Sequence, residues 1–277
     1  MQFALLAFLL LATSRAAEIP TYDTPPVEPR EKIALFNGRD LSGFYTWLAE
    51  YGYEDPDQVF TVVDQIDGAP AIRISGQGYG GIVTRANYAN YKLVAEFRWG
   101  LVTWGKRKDR ARDSGILLHC QGEDGNNHPN FRSPWIRSVE YQLIEGGTGD
   151  LLLLVGYDRG AKDPTSPHLT LNVLPGTKVW NPAGTPTVFT RGRIDWPGRD
   201  PQWKDALGFR GPADVEKPVG EWNLIEIICR EGDLIYFLNG VKVNEGRNGT
   251  YRQGRLLFQT EGAEVFFRRI DLHPLDK

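Results

Sequence analysis

The 277 residues carry a formal net charge of −3 and are 41% hydrophobic, which fits one large or two modest globular domains and offers no basic excess to hold nucleic acid. With 31 Gly, 18 Pro, 8 Trp, 11 Tyr and 13 Phe, the chain reads as strands, turns and aromatic-lined surfaces rather than long helices.

The apolar run Phe3–Ala12, followed by small residues, reads as a secretory signal over residues 1–17, cleaved near Ala16 or Ala17. The run lacks a preceding Lys or Arg and is too short to span a membrane. The mature chain is therefore expected in the periplasm or outside the cell, without a membrane span. Residues 18–31, with Pro20, Pro25, Pro26 and Pro29, read as an extended N-terminal spacer. One domain is expected over residues 32–277.

Asn37-Gly38 marks a turn ahead of Phe44, Tyr45 and Trp47, and short strands follow around Val59–Val63 and Ala71–Ile74. Gly76–Gly81 lacks the Lys-Ser/Thr of a phosphate loop and reads as a turn between strands. In Tyr91–Trp99, Leu93, Ala95, Phe97 and Trp99 share one face and Lys92, Glu96 and Arg98 the other. The basic run Gly105–Asp113 is broken by Asp109 and reads as a solvated loop. In the next strand, alternation places Ile116, Leu118 and Cys120 toward a core and Leu117 and His119 opposite. Cys229 aligns with Ile225 and Ile227, so both cysteines are expected to face a core, either as free thiols or as a disulfide.

The stretch Trp135–Asp150 carries the strand Ser138–Ile144, in which Val139, Tyr141 and Leu143 face one way and Glu140 and Gln142 the other. Residues 156–218 form a long Pro- and Gly-rich insertion holding Trp180, Trp196 and Trp203, whose aromatic side chains serve either as sugar-stacking surfaces or as local plugs. Asn239-Gly240 between alternating apolar runs signals a hairpin. Arg255–Glu261 then sets Leu256 and Phe258 against Leu257, Gln259 and Glu261, before a last strand in V-F-F-R-R-I-D-L. Many short strands with turn-punctuated spacing make an all-β, two-sheet β-sandwich.

The segments L-F-N-G-R-D-L-S-G-F, D-S-G-I-L-L-H-C-Q, S-V-E-Y-Q-L-I-E-G-G-T-G-D, G-E-W-N with L-N-G-V, and V-F-F-R-R-I-D-L, in that order, resemble the 3-keto-disaccharide hydrolase domain family. The resemblance implies a concanavalin A-like jelly roll with its site on a concave sheet face, and cleavage of 3-keto-glycosides by an exported protein. It also implies that Glu140 and Gln142 form the family's E-x-Q pair, with His119 on the neighbouring strand and Gln259 on a late strand. The insertion fits the shorter family pattern poorly.

A 3-keto group acidifies the C2 hydrogen, so the glycosidic bond at C1 can break by β-elimination, with water then adding to the unsaturated sugar. That route needs a base near C2 and donors for the C3 enolate. Glu140 or His119 are the candidate bases, with Gln142 also in the catalytic set. Gln259, Arg137, Glu145, Trp135 and Glu261 are the candidate substrate contacts. A divalent cation is a candidate cofactor, with Glu140, Glu145, His119 and Asp150 as the available ligands. Two alternatives stand beside this reading: a retaining glycosidase using Glu140 and Glu145, which needs a bulge to bring the pair onto one face, and a non-catalytic, lectin-like carbohydrate-binding domain.

Overall fold

The computed structural model describes residues 21–276; the expected signal at 1–17 lies outside the described residues. The strands in chain order are β1 (Ile33–Ala34), β2 (Phe44–Leu48), β3 (Phe60–Ile66), β4 (Ala69–Ile74), β5 (Tyr79–Thr84), β6 (Tyr88–Ala89), β7 (Tyr91–Thr103), β8 (Asp113–Cys120) and β9 (Ser138–Ile144). They continue with β10 (Leu151–Leu154), β11 (Leu169–Val173), β12 (Thr185–Phe189), β13 (Gly192–Ile194), β14 (Asn223–Arg230), β15 (Asp233–Leu238), β16 (Val241–Gly246), β17 (Gln253–Glu261) and β18 (Ala263–His273). The front sheet runs β13-β10-β9-β8-β17-β5-β2 and the back sheet β16-β15-β14-β7-β18-β4-β3, with β6 and β1 attached to β17 and β18. Pairing within both sheets is antiparallel, giving the two-sheet jelly-roll sandwich.

Period-2 patterning sets which side chains fill the space between the sheets. Leu93, Ala95, Phe97 and Trp99 of β7 meet Ile116, Leu118, Val139, Tyr141, Leu143, Leu256 and Phe258 of the front sheet in one continuous core. The rings of Phe258 and Phe267 interlock across it edge to face, 5.3 Å between centroids. The Asn239-Gly240 hairpin joins β15 to β16 with both residues at positive φ, 50° and 82°, as a primed two-residue turn demands.

The front sheet's outer face carries a second, smaller apolar cluster of Tyr45, Val83, Leu117, Cys120, Ile136 and Leu257, roofed by Trp47, Tyr53 and Trp135. Cys120 therefore faces outward from the sandwich, not into the main core as alternation suggested. Cys229 does face the main core, and both cysteines are free thiols.

The stretch from Tyr22 is tied to the sandwich, since Asn87 Nδ2 donates to the carbonyls of Tyr22 and Thr24 at 2.9 and 2.8 Å and Val27 bridges to Tyr88. Within 156–218, β11 and β12 form a separate hairpin, and β13 adds itself to the front sheet beside β10. The insertion thereby brings Arg193 to the sheet edge next to Glu140 and Gln142.

Candidate functional site

The outer face of the front sheet gathers acids and amides on its central strands. On β9, Glu140 and Gln142 point outward with only 3% of each exposed. Gly115 of β8 lies opposite Gln142. It has no side chain, and a Cβ placed there would collide with Glu140 Oε1 and come within 2.7 Å of Gln259 Oε1. Glycine at 115 is thus what lets a carboxyl from β9 and an amide from β17 converge over the strand between them. Asp113 and Glu261, two residues further along β8 and β17 and hence on the same face, complete the group.

Hydrogen bonding divides these residues into two kinds. Gln142 is held on both ends: Nε2 donates to Asp113 Oδ1 at 2.7 Å and to the Ser114 carbonyl at 2.9 Å, while Oε1 accepts from Arg193 Nη2 at 3.0 Å. Asp113 also accepts from Arg107 through its other oxygen, so both its oxygens are acceptors and the ionised form is the one the site is built around. Arg193 continues to Asp150 at 2.8 Å, where Arg199 and the Trp196 amide also donate. Gln259 Oε1, by contrast, is buried with no partner. Such a group is costly to leave unmade, and it marks where a ligand would donate.

The electrostatics follow from burial and crowding. Burial, with the negative charge of Asp113 second, pushes the Glu140 carboxyl up to about 8, against opposing pulls from Arg193 and Gln259. Burial likewise lifts Asp113, which Arg107 and Arg193 oppose. Glu261 rises well above the carboxylate range through burial and the neighbouring Asp113 and Glu140. A cluster of acids displaced upward around two guanidinium groups is a usual setting for proton transfer.

His119 does not join them. Leu257 pairs with Leu117 but Arg255 with Cys120, so three residues of β8 span what two of β17 span. The extra residue is His119, in the left-handed region at φ 54°, which makes a β-bulge. Its ring turns between the sheets, fully buried, edge-on to Tyr91 at 5.7 Å with Nδ1 2.9 Å from the Tyr251 carbonyl. Burial lowers it to about 4, so it is neutral. The bulge thus corrects the expectation that His119 shares a face with Glu140, and removes it from the candidate bases.

Glu145 is also placed elsewhere. Its carboxylate pairs with Arg112 Nη1 at 2.7 Å and accepts from the backbone N–H groups of Arg112 and Gly208, both at 2.9 Å. The Glu140–Glu145 pair of a retaining glycosidase is therefore not assembled. Arg137 is bound in a fork to Asp158, 3.1 Å on each arm, and Trp135 packs over the apolar cluster beside the acids. The four candidate metal ligands are dispersed accordingly: Glu140 on the front face, Glu145 with Arg112, Asp150 with two arginines, His119 between the sheets. No three His, Cys, Asp or Glu side chains group as ligands among the described residues.

Three site residues fall outside the sequence expectations. Asp113 had a readable signal, being in phase with Gly115 and Leu117. Arg107, from the run read as solvated, reaches Asp113 and also Asp205 at 2.9 Å. Arg193 comes from the insertion, where no periodicity announces it.

A family model described as a 3-keto-alpha-glucoside-1,2-lyase-like domain matches residues 31–273. No curated protein matches the chain by sequence. Among solved structures, a Parabacteroides distasonis protein provisionally described as a glycosyl hydrolase is 21% identical, with 89% of this chain and 94% of that one covered and a TM-score of 0.48. The carbohydrate-binding module CBM66 from Bacillus subtilis is 10% identical over 83% and 94% at 0.41, and the Bacillus licheniformis β-glucanase 8% identical over 89% and 99% at 0.40. No helix among the described residues is long and apolar enough to cross a membrane.

Proposed function

The chain belongs to the 3-keto-alpha-glucoside-1,2-lyase-like domain family, and from that premise we propose that it is an exported carbohydrate-active enzyme cleaving 3-keto-glycosides by β-elimination followed by hydration. The observation that carries this reading is the convergence of Glu140 and Gln259 over the bare backbone of Gly115, on a face otherwise closed by committed hydrogen bonds. Glu140 takes the C2 proton. A base lifted toward 8 is stronger than an ordinary carboxylate once ionised, which suits the removal of a weakly acidic C–H. The Gln259 amide orients the sugar's oxygens, and Arg193 and Arg107 supply the positive potential in which an enolate develops. Gln142 positions Asp113 and Arg193 instead of touching substrate, because both amide hydrogens and the amide oxygen already have partners.

The test is turnover of a 3-keto-disaccharide beside its unoxidised parent, each with and without chelator. Cleavage of the keto sugar alone is expected. Cleavage of both would indicate an ordinary glycosidase, and cleavage of neither, with sugar binding retained, a lectin-like domain. Loss of activity on chelation would add a divalent cation to the reaction.

A further inference from the structure

We propose that Glu261 is the second proton-transfer group of this site, delivering a proton to the leaving oxygen while Glu140 removes the C2 hydrogen; this rests on the function proposed above. β17 presents Gln259 and Glu261 on one face, and Glu261 lies directly opposite Tyr79 of β5. Among the described residues, no ion pair or side-chain hydrogen bond restrains the Glu261 carboxyl, whereas Asp113, Gln142, Asp150 and Glu145 are each held by at least two partners. A partly buried carboxyl left uncommitted in a face of committed ones is available to a ligand.

The surroundings also fit a proton donor. Asp113, fixed as an acceptor by Gln142 and Arg107, holds negative charge near Glu261. That charge, added to burial, keeps the Glu261 proton in place. Arg107 and Arg193 oppose this upward shift, but neither pairs with Glu261: Arg107 bridges Asp113 and Asp205, and Arg193 is held by Gln142 and Asp150, so burial and the two neighbouring acids prevail.

Atoms and electrons balance over the cycle. In elimination, the C2–H proton goes to the Glu140 carboxylate, the released pair forms C1=C2, the C1–O bond breaks, and the leaving oxygen takes the Glu261 proton. In hydration, the Glu261 carboxylate accepts a proton from the water adding to C1. Glu140 then returns its proton to C2, and both groups regain their starting states.

The leaving group's basicity separates this role from a structural one. An alkoxide needs a proton as it departs, whereas a 4-nitrophenolate does not. In single-turnover measurements of C1–O cleavage, which do not depend on the later hydration, E261Q is expected to lose ~100-fold or more on a 3-keto-disaccharide and less than ~5-fold in 4-nitrophenolate release from the 3-keto 4-nitrophenyl glycoside. Retained release of 4-nitrophenolate would itself show that the variant is folded. E140Q should lose activity on both, because the C2 proton must be removed in either case. Equal loss on both substrates by E261Q, or loss on neither, would overturn the assignment. Parent protein inactive on both keto substrates would instead defeat the function on which the assignment rests.

Discussion

Replacing Glu140 by Gln should make the protein inactive and, at neutral pH and above, more stable. The carboxyl titrates near 4.5 in its unperturbed state and at about 8 in the folded chain. Between those values the unfolded chain has released the proton and the native state retains it, so native stability falls as pH rises. At about 1.4 kcal/mol per pH unit, the ionised group costs the fold roughly 3 kcal/mol at pH 7 and at most about 5 kcal/mol above pH 8. With 3% of the residue exposed, solvent screening reduces this little. Gln keeps the shape and carries no charge, so the difference in unfolding free energy, E140Q minus parent, should grow steadily from pH 5 to pH 8 and then level. Urea melts at pH 5, 6.5 and 8 measure it, with a midpoint gain of ~1 M or more expected at the highest pH. A difference independent of pH, or a variant less stable than the parent at pH 8, would refute the placement of Glu140 as a desolvated acid. In parallel, keto-sugar turnover should drop ~100-fold or more.

G115A should retain the fold, since Gly115 is not at positive φ, yet lose ~10-fold or more in kcat, because the methyl group displaces Glu140 and Gln259; thermal melting and initial rates together check it. H119A should leave kcat within about threefold while costing ~2–4 kcal/mol in stability, since the ring fills a fully buried space against Tyr91; a 100-fold kinetic loss would return the histidine to the chemistry. The parent's kcat/KM should rise with pH up to about 8 as Glu140 ionises. R193M removes a positive charge that favours this ionisation, so the rise should move to higher pH in that variant's rate profile.

Strand alternation carried most of the fold. Ser138–Ile144 is β9 residue for residue, and Leu257, Gln259 and Glu261 face away from Leu256 and Phe258 as their spacing requires. The candidate site was legible where it stands on regular strands, at Glu140, Gln259 and Glu261. It was illegible where the period breaks or the chain has none. Nothing in I-L-L-H-C marks a bulge, because no Gly interrupts the apolar run where the chain enters the left-handed region at His119. Gln142 was read correctly as outward-facing, but its full set of hydrogen bonds depends on Arg193, which arrives through β13 from a segment without apolar rhythm. Trp196 and Trp203 resolve as plugs, one in the main core and the other hydrogen-bonded through its indole N–H to the Glu145 carbonyl.

The bulge on β8 also makes an unusual tolerance map for that strand. Without residue 119, the sequence of faces along Asp113, Gly115, Leu117 and Cys120 is unbroken, so His119 is in effect a single inserted letter in an otherwise regular text. Deleting it would leave the other side chains of β8 on the faces they now occupy, whereas deleting a residue from a strand with no bulge would carry every residue on one side of the cut to the wrong surface. Gly254 of β17 lies so close to the bulge that a Cβ would come within 2.7 Å of His119 Cα and of the Cys120 carbonyl oxygen. The glycine and the extra residue therefore form a matched pair across two strands. Gly254 is itself at φ 155°, so glycine is required at this position both by the approach of the bulge and by its own backbone.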